Sequence, residues 1–262
     1  MGCSPAEKNS TGKGYVVISP EVAEILAELG CSDQIIGVTE ECTYPEELQS
    51  KQSVGKFGEI KLEDIVKLNP EIVFTTELEQ QELADKLEKL GIKVVRSYPK
   101  SVSGVYKTII TLGNEVGKSK EAELLVASLK QQVAELESNM PKRPRVYLEI
   151  WNNPLMSVSD NSFVGELIEL AGGDNIFTEL ERDYARVKPE MVITADPEII
   201  LSFSKQTFEE ISQRKGWNNI SAVKNKAVYN ESNLNSDHIF RAGPRFVLGI
   251  RDLQEIFKSH AN

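Results

Sequence analysis

One stretch of this chain occurs twice. Ile60–Phe74 aligns with Val187–Leu201 at a constant offset of 127 residues: Lys61 meets Lys188, Glu63 meets Glu190, Pro70 meets Pro197, Glu71 meets Glu198 and Ile72 meets Ile199. Apolar residues also meet apolar residues at positions 60, 65, 66, 73 and 74, so the hydrophobic phase is kept along with the identities. A second pair runs in the same order, Glu24–Gly30 with Asp33–Ile36 resembling Glu166–Gly172 with Asp174–Phe177. A chain that repeats its own pattern in order is expected to fold as two copies of one unit, each with its own core. Its 262 residues suffice for two lobes of roughly 120 residues.

Around the repeats, short β-rich runs alternate with helical ones. Tyr15–Ser19, Gln34–Val38, Glu71–Thr76 and Lys93–Tyr98 read as strands, and Glu21–Leu29, Leu62–Leu68 and Glu77–Leu90 as helices, the last stopped by Gly91. In the second half, Arg145–Ile150, Glu198–Phe203 and Ala227–Tyr229 read as strands. Phe163–Ala171, Lys188–Ala195, Thr207–Arg214 and a closing segment from Phe240 to His260 read as helices. Such alternation predicts an α/β fold, with a parallel sheet between helices in each half. Between the halves, Ser101–Met140 is helical apart from a break at Gly117. Its second part places Leu125, Leu129, Val133, Leu136 and Met140 on one stripe before Pro141 and Pro144 end it. A helix of about 20 residues spans roughly 30 Å, the diameter of a small lobe, and is long enough to act as a strut. The predicted organisation is a polar tether at 1–13, an N-terminal α/β lobe at 14–118, a linking helix at 119–141 and a C-terminal α/β lobe at 142–262. This describes two Rossmann-like lobes with central parallel sheets, joined by one long backbone helix. Ligands of such proteins sit in the interlobe crevice, at the strand ends.

What the chain lacks narrows its chemistry. HExxH, GxSxG, Walker and GxGxxG patterns are absent, Gly172–Gly173 reads as a helix stop, and His238 and His260 are the only histidines. No nucleophile–base pair or metal set assembles from that inventory, so no catalytic residue and no cofactor is assigned, and the chain is read as a binder rather than an enzyme. A net charge of -10, with no Lys/Arg-rich segment to override it, argues against nucleic acid. No run of about 18 apolar residues spans a membrane. Cys31 and Cys42 form no CxxC knuckle; a disulfide in an exported protein and two buried thiols both fit them. Cys3 heads a stretch without hydrophobic content until Tyr15, the pattern of a lipidated cysteine holding a globular body on a flexible leash; an incidental cysteine is the alternative.

Aromatic and polar residues gather in segments expected at loop tips: Cys42–Pro45 with Tyr44, Gly55–Gly58 with Phe57, Trp151–Met156, and Asp183–Arg186 with Tyr184. Flat apolar rings beside a few polar groups suit a bulky planar ligand such as a tetrapyrrole or metal chelate. Before the closing helix, Asn235–Arg241 should project Asp237, His238, Phe240 or Arg241 toward the crevice. Arg241 there suits an anionic ligand oxygen and His238 a metal or a hydrogen bond, with plain polar packing at the rim as the alternative for both. Glu63 and Glu190 fall in the first turns of equivalent helices. A carboxylate in that position favours the helix dipole by about 0.3–1 kcal/mol. Two equivalent anionic knobs, one per lobe, equally suit arginines of a two-fold symmetric partner.

These segments resemble the helical-backbone class of periplasmic substrate-binding proteins, which carry cobalamin, ferric siderophores or haem to ABC permeases. The likeness covers nearly all of residues 14–260. It is carried by Ile18-Ser19-Pro20-Glu21, Gly37-Val38-Thr39, Tyr44-Pro45, the run from Val54 to Glu63, Leu68-Asn69-Pro70-Glu71-Ile72-Val73 and Arg241-Ala242-Gly243-Pro244-Arg245. The family more often has proline where Ala242 stands. The cobalamin binders are nearest: Phe57 and Tyr184 fall where they have ligand-stacking tryptophans, Met156 where they have a phenylalanine, and Glu63 and Glu190 on the two glutamates that grip the permease. Thr76 and Glu41 replace a pocket tryptophan and a pocket tyrosine. The resemblance implies that Pro20, Tyr44 and Trp151 line the ligand site too. It further implies an exported monomer that works with a transmembrane permease dimer and its ATPase, free in the periplasm or held at the outer face of the cytoplasmic membrane by a lipid on Cys3. The expected cargo is a corrinoid, with ferric siderophore or haem next. A tetrapyrrole metal chelatase on a related fold and a non-transport surface lipoprotein are the readings from other classes.

Overall fold

The computed structural model describes residues 14–76, 80–136 and 142–260. The chain divides into two compact units, residues 1–98 and 99–262.

The first unit runs β1 (Tyr15–Val17), α1 (Pro20–Glu28), β2 (Ile35–Val38), β3 (Gln52–Ser53), β4 (Gly55–Lys56), β5 (Glu59–Ile60), α2 (Leu62–Lys67), β6 (Ile72–Thr76), α3 (Gln81–Lys89) and β7 (Lys93–Ser97). Its sheet has the order β3-β2-β1-β6-β7 with every pairing parallel, while β4 and β5 form a separate antiparallel hairpin. The central strands are apolar throughout, with Val16, Val17, Val73 and Phe74 all buried, as strands covered on both faces must be. Val16 of β1, Ile65 of α2, Val73 of β6 and Leu87 of α3 make a core cluster with Ile18, which follows β1, and Val54, which precedes β4. Pro20 opens α1 at a position whose N–H has no intrahelical acceptor in any case. The helix expected over Glu77–Leu90 is α3, shorter at its start; 77–79 lie outside the described residues, and Gly91 follows at φ 77° as its stop.

The second unit opens with α4 (Val102–Glu115) and α5 (Ser119–Leu136), separated at Gly117 with φ 71°. It continues with β8 (Arg145–Asn152), β9 (Leu155–Val158), α6 (Phe163–Leu170), β10 (Asp174–Asn175), β11 (Tyr184–Arg186), α7 (Pro189–Ala195) and β12 (Ile199–Ser202). α8 (Phe208–Ser212), α9 (Ser221–Lys224), β13 (Val228–Asn230), α10 (Ser236–Phe240) and α11 (Phe246–Ser259) complete it. The sheet order is β11-β9-β8-β12-β13, with β10 pairing the start of β8. β10, β8, β12 and β13 are parallel; β9 and β11 are antiparallel additions.

Several expectations need correction here. The division falls after Tyr98 rather than after 118, because α4 packs on α5 and α5 packs on α11, which draws both helices into the second unit. Gly113 makes the first of these contacts possible, since a Cβ there would stand 2.4 Å from that of Ala122. The buried stripe of α5 is Ala122, Val126 and Leu129, with Leu125, Val133 and Leu136 only half-buried; Met140 lies outside the described residues. Trp151–Met156 and Asp183–Arg186 are mostly strand rather than loop tip: β8 continues through Asn152, only Asn153-Pro154 form the turn, β9 returns from Leu155, and β11 joins its edge from Tyr184. The closing helix begins only at Phe246, since Gly243–Pro244 separates it from α10.

The repeat holds in the backbone from the start of the helix to the start of the strand. At the offset of 127, α2 and α7 begin at Leu62 and Pro189, and β6 and β12 at Ile72 and Ile199. The turn between helix and strand passes in both through a left-handed residue, Asn69 at φ 47° and Asp196 at φ 46°. Both are short polar side chains that tolerate that conformation. Among the described residues no helix is long and apolar enough to cross a membrane.

Candidate functional site

In the first unit the expected ligand residues follow the carboxyl ends of parallel strands, the side at which α/β sheets hold ligands. Pro20 comes after β1, Tyr44 after β2, Phe57 after β3, and Thr76 ends β6. Phe57 occupies the tip of the β4–β5 hairpin with its ring 55% exposed. Two glycines shape that tip: Gly58 has φ 79°, and Gly55 has φ 127° with room for no Cβ, which would meet Glu59 O at 2.5 Å. The Phe57 amide donates to Glu41 Oε1 at 2.9 Å, so this carboxylate holds the turn carrying the ring. Tyr44 is 40% exposed. Buried Gln80, which the sequence does not single out, ties two of these strand ends together. Its Nε2 donates to Ile18 O at 3.0 Å, and its Oε1 accepts from the Thr75 hydroxyl and from Thr76 N at 3.2 Å. Cys31 and Cys42 are both buried thiols rather than a disulfide, the second donating to Val17 O at 3.7 Å.

In the second unit Trp151 stands near the end of β8, 55% exposed, its indole N–H donating to Asn153 O at 2.8 Å. Met156 on β9 pairs with it in register, and Arg186 on β11 pairs with Met156 from the other side; Tyr184 opens β11, half-buried. Two residues before Trp151, β8 carries Glu149, which is fully buried. Arg214 grips it with both arms, Nη1 to Oε2 at 2.5 Å and Nη2 to Oε1 at 2.6 Å. The hydroxyls of Ser204 at 2.7 Å, Tyr147 at 3.2 Å and Ser202 at 3.4 Å also donate to it. The Arg214 guanidinium lies over the Trp217 ring, 4.3 Å from its centroid. Burial, and then the Glu149 charge, pushes the Tyr147 hydroxyl well above its ordinary pKa, so it remains a donor to the carboxylate. The sequence signal for this network is one carboxylate inside an otherwise apolar strand; nothing in the sequence names its partner 65 residues away.

The segment before α11 is more tied down than its sequence suggests. Asp237 accepts Arg241 at 3.0 Å and faces Arg245 at 3.7 Å. His238 has Nδ1 2.9 Å from Asp252 Oδ2 and Nε2 3.4 Å from Asn235 Nδ2, so both ring nitrogens have polar neighbours. Phe240 meets Phe203 edge-on with centroids 4.7 Å apart. Among the described residues no group of three or more His, Cys, Asp or Glu is placed to hold a metal.

Glu63 and Glu190 are exposed in the first turns of α2 and α7. The offset that relates them also relates Phe57 to Tyr184, so each unit carries an aromatic ring six residues before its glutamate. The model of the family described as periplasmic binding protein matches residues 16–231. The chain belongs to the periplasmic binding protein family. It is 27% identical over 253 residues to an ABC transporter substrate-binding lipoprotein of Bacillus subtilis, covering 93% of this chain and 79% of that one. It is also 27% identical over 256 residues to the vitamin B12-binding protein of Vibrio campbellii, covering 96% and 91%. The solved structure of the periplasmic haem-binding protein RhuT from Roseiflexus superposes with a TM-score of 0.85 at 21% identity, over 96% of this chain and 100% of that one. At that identity the likeness shows the fold, a two-lobed class III binding protein. This binding protein is thus the substrate-binding component of an ABC importer, with a small-molecule ligand and a permease partner, and its named relatives are transport proteins rather than enzymes. Cys3, the expected lipid anchor, lies outside the described residues.

Proposed function

We propose that this binding protein captures a corrinoid, cobalamin or cobinamide, and delivers it to the permease. The observation that carries the reading is the exposed ring of Phe57 on a glycine-shaped hairpin, repeated as Tyr184 at the same distance from the equivalent glutamate. A corrin is broad and apolar over much of its surface, and rigidly held rings contact such a ligand with little loss of side-chain entropy. Phe57, Tyr184, Trp151 and Met156 are the proposed apolar contacts to the ligand, and Pro20, Tyr44, Thr76, Asp237, His238, Phe240 and Arg241 the proposed polar and shape-setting ones. The likeness to vitamin B12-binding proteins along 96% of the chain supports the same cargo. Glu63 and Glu190 are proposed to dock on the permease, and Cys3 to carry a lipid that keeps the exported protein, a monomer, at the outer face of the cytoplasmic membrane.

Trp151 provides the test. Of the two tryptophans Trp217 is buried, so Trp151 is the indole open to a ligand. Titration with cobalamin, cobinamide, haemin and ferric siderophores, followed by fluorescence of the native chain and of Trp151→Phe, is expected to show saturable quenching by a corrinoid. Saturation by haemin or a ferric siderophore with no corrinoid response would replace the cargo; no response to any of them would remove the reading.

A further inference from the structure

Each of the two equivalent glutamates lines a hollow in which apolar side chains stand beside it. In the first unit a hollow of about 310 Å³ is lined by Phe57, Ile60, Leu62, Glu63, Leu83 and Lys86, among others. In the second a hollow of about 500 Å³ is lined by residues that include Ile176, Phe177, Glu179, Glu190, Met191 and Ala195. The duplication brings the same first helical turn to both, Leu62–Glu63 in one and Pro189–Glu190 in the other, although the opposite walls come from unrelated segments. Two independently built walls have therefore left a partly apolar recess beside the same acid, with Leu83 in one and Met191 in the other.

The charges at the rims decide what kind of partner fits. In the first hollow Lys86 is bound to Glu82 at 2.6 Å, and Lys67, one turn beyond Glu63, is bound to Asp64 at 2.9 Å, so neither lysine closes an ion pair on Glu63. In the second, Glu179 and Glu190 are both anionic. Among the described residues neither Glu63 nor Glu190 forms a salt bridge. Met191, next to Glu190, is 44% exposed, a large apolar side chain presented at a rim. An apolar recess with an anionic edge is complementary to a basic side chain flanked by an apolar one. Arginine suits it best, since its fork meets a carboxylate bidentately while its stem covers apolar surface.

We propose that each hollow seats an apolar side chain of an external permease loop, next to the basic residue that engages Glu63 or Glu190. The glutamates then supply charge and approach rate, and the hollows supply fit, with Leu83 and Met191 as their specificity-determining residues. The inference rests on the docking reading above. The full chain and its permease–ATPase complex in lipid nanodiscs provide the assay: affinity of the two for each other, ligand-stimulated ATP hydrolysis, and ligand affinity of the binding protein alone. Met191→Gln, a surface change, and Leu83→Gln, at a half-buried position, each remove apolar contact without adding charge. Each is expected to weaken permease affinity by about tenfold, as loss of one seated side chain does, with ligand affinity unchanged. Permease affinity within about twofold of the parent for both variants would overturn the hollows while leaving the docking reading in place. The double variant Glu63→Lys/Glu190→Lys separates the two claims, because parental affinity in that protein removes the docking reading itself.

Discussion

Replacing Arg214 by Met tests the buried ion pair at the heart of the second unit. The Arg214 guanidinium meets Glu149 with two short hydrogen bonds, and Glu149 has no exposed surface. Arg214→Met keeps the length and apolar stem but leaves a buried carboxylate facing only the hydroxyls of Ser202, Ser204 and Tyr147. Removing one partner of a buried pair costs about 3–5 kcal/mol. Three remaining donors, and the 17% of the Arg214 side chain that water already reaches, put this site at the low end, about 3 kcal/mol. Loss of the cation from the face of Trp217 adds about 0.5–1 kcal/mol. Urea unfolding of Trp151→Phe and Trp151→Phe/Arg214→Met reads this directly, since Trp217 is then the only indole and sits at the site. Only the transition of the second unit is compared, because a chain of two units need not unfold in one step. Adding Glu149→Gln should recover a substantial part of the loss, because the burden is the unpaired charge rather than missing packing. A single-variant loss under about 1 kcal/mol, or a Glu149→Gln/Arg214→Met chain no more stable than Arg214→Met alone, would refute this account of the network.

Three further outcomes follow from named contacts. Glu41→Ala frees the amide of Phe57 and should weaken ligand binding by about three- to tenfold, whereas Glu41→Gln, which still presents an acceptor, should bind close to the parent; equal affinities across the three would dismiss Glu41 as the positioning group. The Ser221 backbone N–H, bound to Asp196 Oδ1 at 2.7 Å, is the main cause holding the Asp196 carboxyl below the usual aspartate range against the opposing effect of burial. A carboxylate depressed on folding contributes stability that is complete above its unfolded pKa of about 3.9 and is lost as pH falls through its lower folded value. Asp196→Asn, tolerated at φ 46°, should accordingly flatten the fall of the urea midpoint below about pH 4, and an unaltered acid slope would count against the assignment. In a Cys3→Ser chain, a thiol reagent should label Cys31 and Cys42, each 2% exposed, only after denaturant is added; labelling in the native state contradicts their burial.

The parts of this architecture legible in the sequence are those with local causes. Gly91 and Gly117 stop helices because each adopts a positive φ that other residues resist, and the alternation of apolar strand and amphipathic helix is a property of neighbours in the chain. The hairpin of β8 and β9 is hidden because Asn152-Asn153-Pro154 reads as loop chemistry while Leu155–Val158 is too short to show a period of two. The unit to which α4 and α5 belong is equally hidden, since an amphipathic stripe says that a helix packs and not on what. For α5 the deciding partner is α11, more than a hundred residues later. Long-range polar partners are invisible for the same reason: Arg214 for Glu149, and Gln80 Nε2 for Ile18 O.

The duplication escapes this limit because it compares the chain with itself. Its offset, once read from identities between 60 and 74, extends upstream to Phe57 and Tyr184 although the two residues differ and their local structures differ, a hairpin tip in one unit and an edge strand in the other. Kept spacing across changed local structure is hard to explain by packing alone, since the two segments pack on different neighbours. It is explained if ring and acid are placed by one backbone stretch leading into the first turn of the next helix. That turn fixes where Glu63 and Glu190 point, and the preceding strand fixes how far back the ring stands. A glycine inserted between Gly58 and Glu59 separates the two roles: α2 and Glu63 keep their place, anchored by buried Ile65, while Phe57 moves at the hairpin tip. Ligand affinity should fall steeply, while permease affinity, which loses only the Phe57 wall of the first hollow and keeps Glu63, Leu62 and Leu83, changes little. Loss of both together, in a chain that still folds, would show that ring and acid do not act as separable elements.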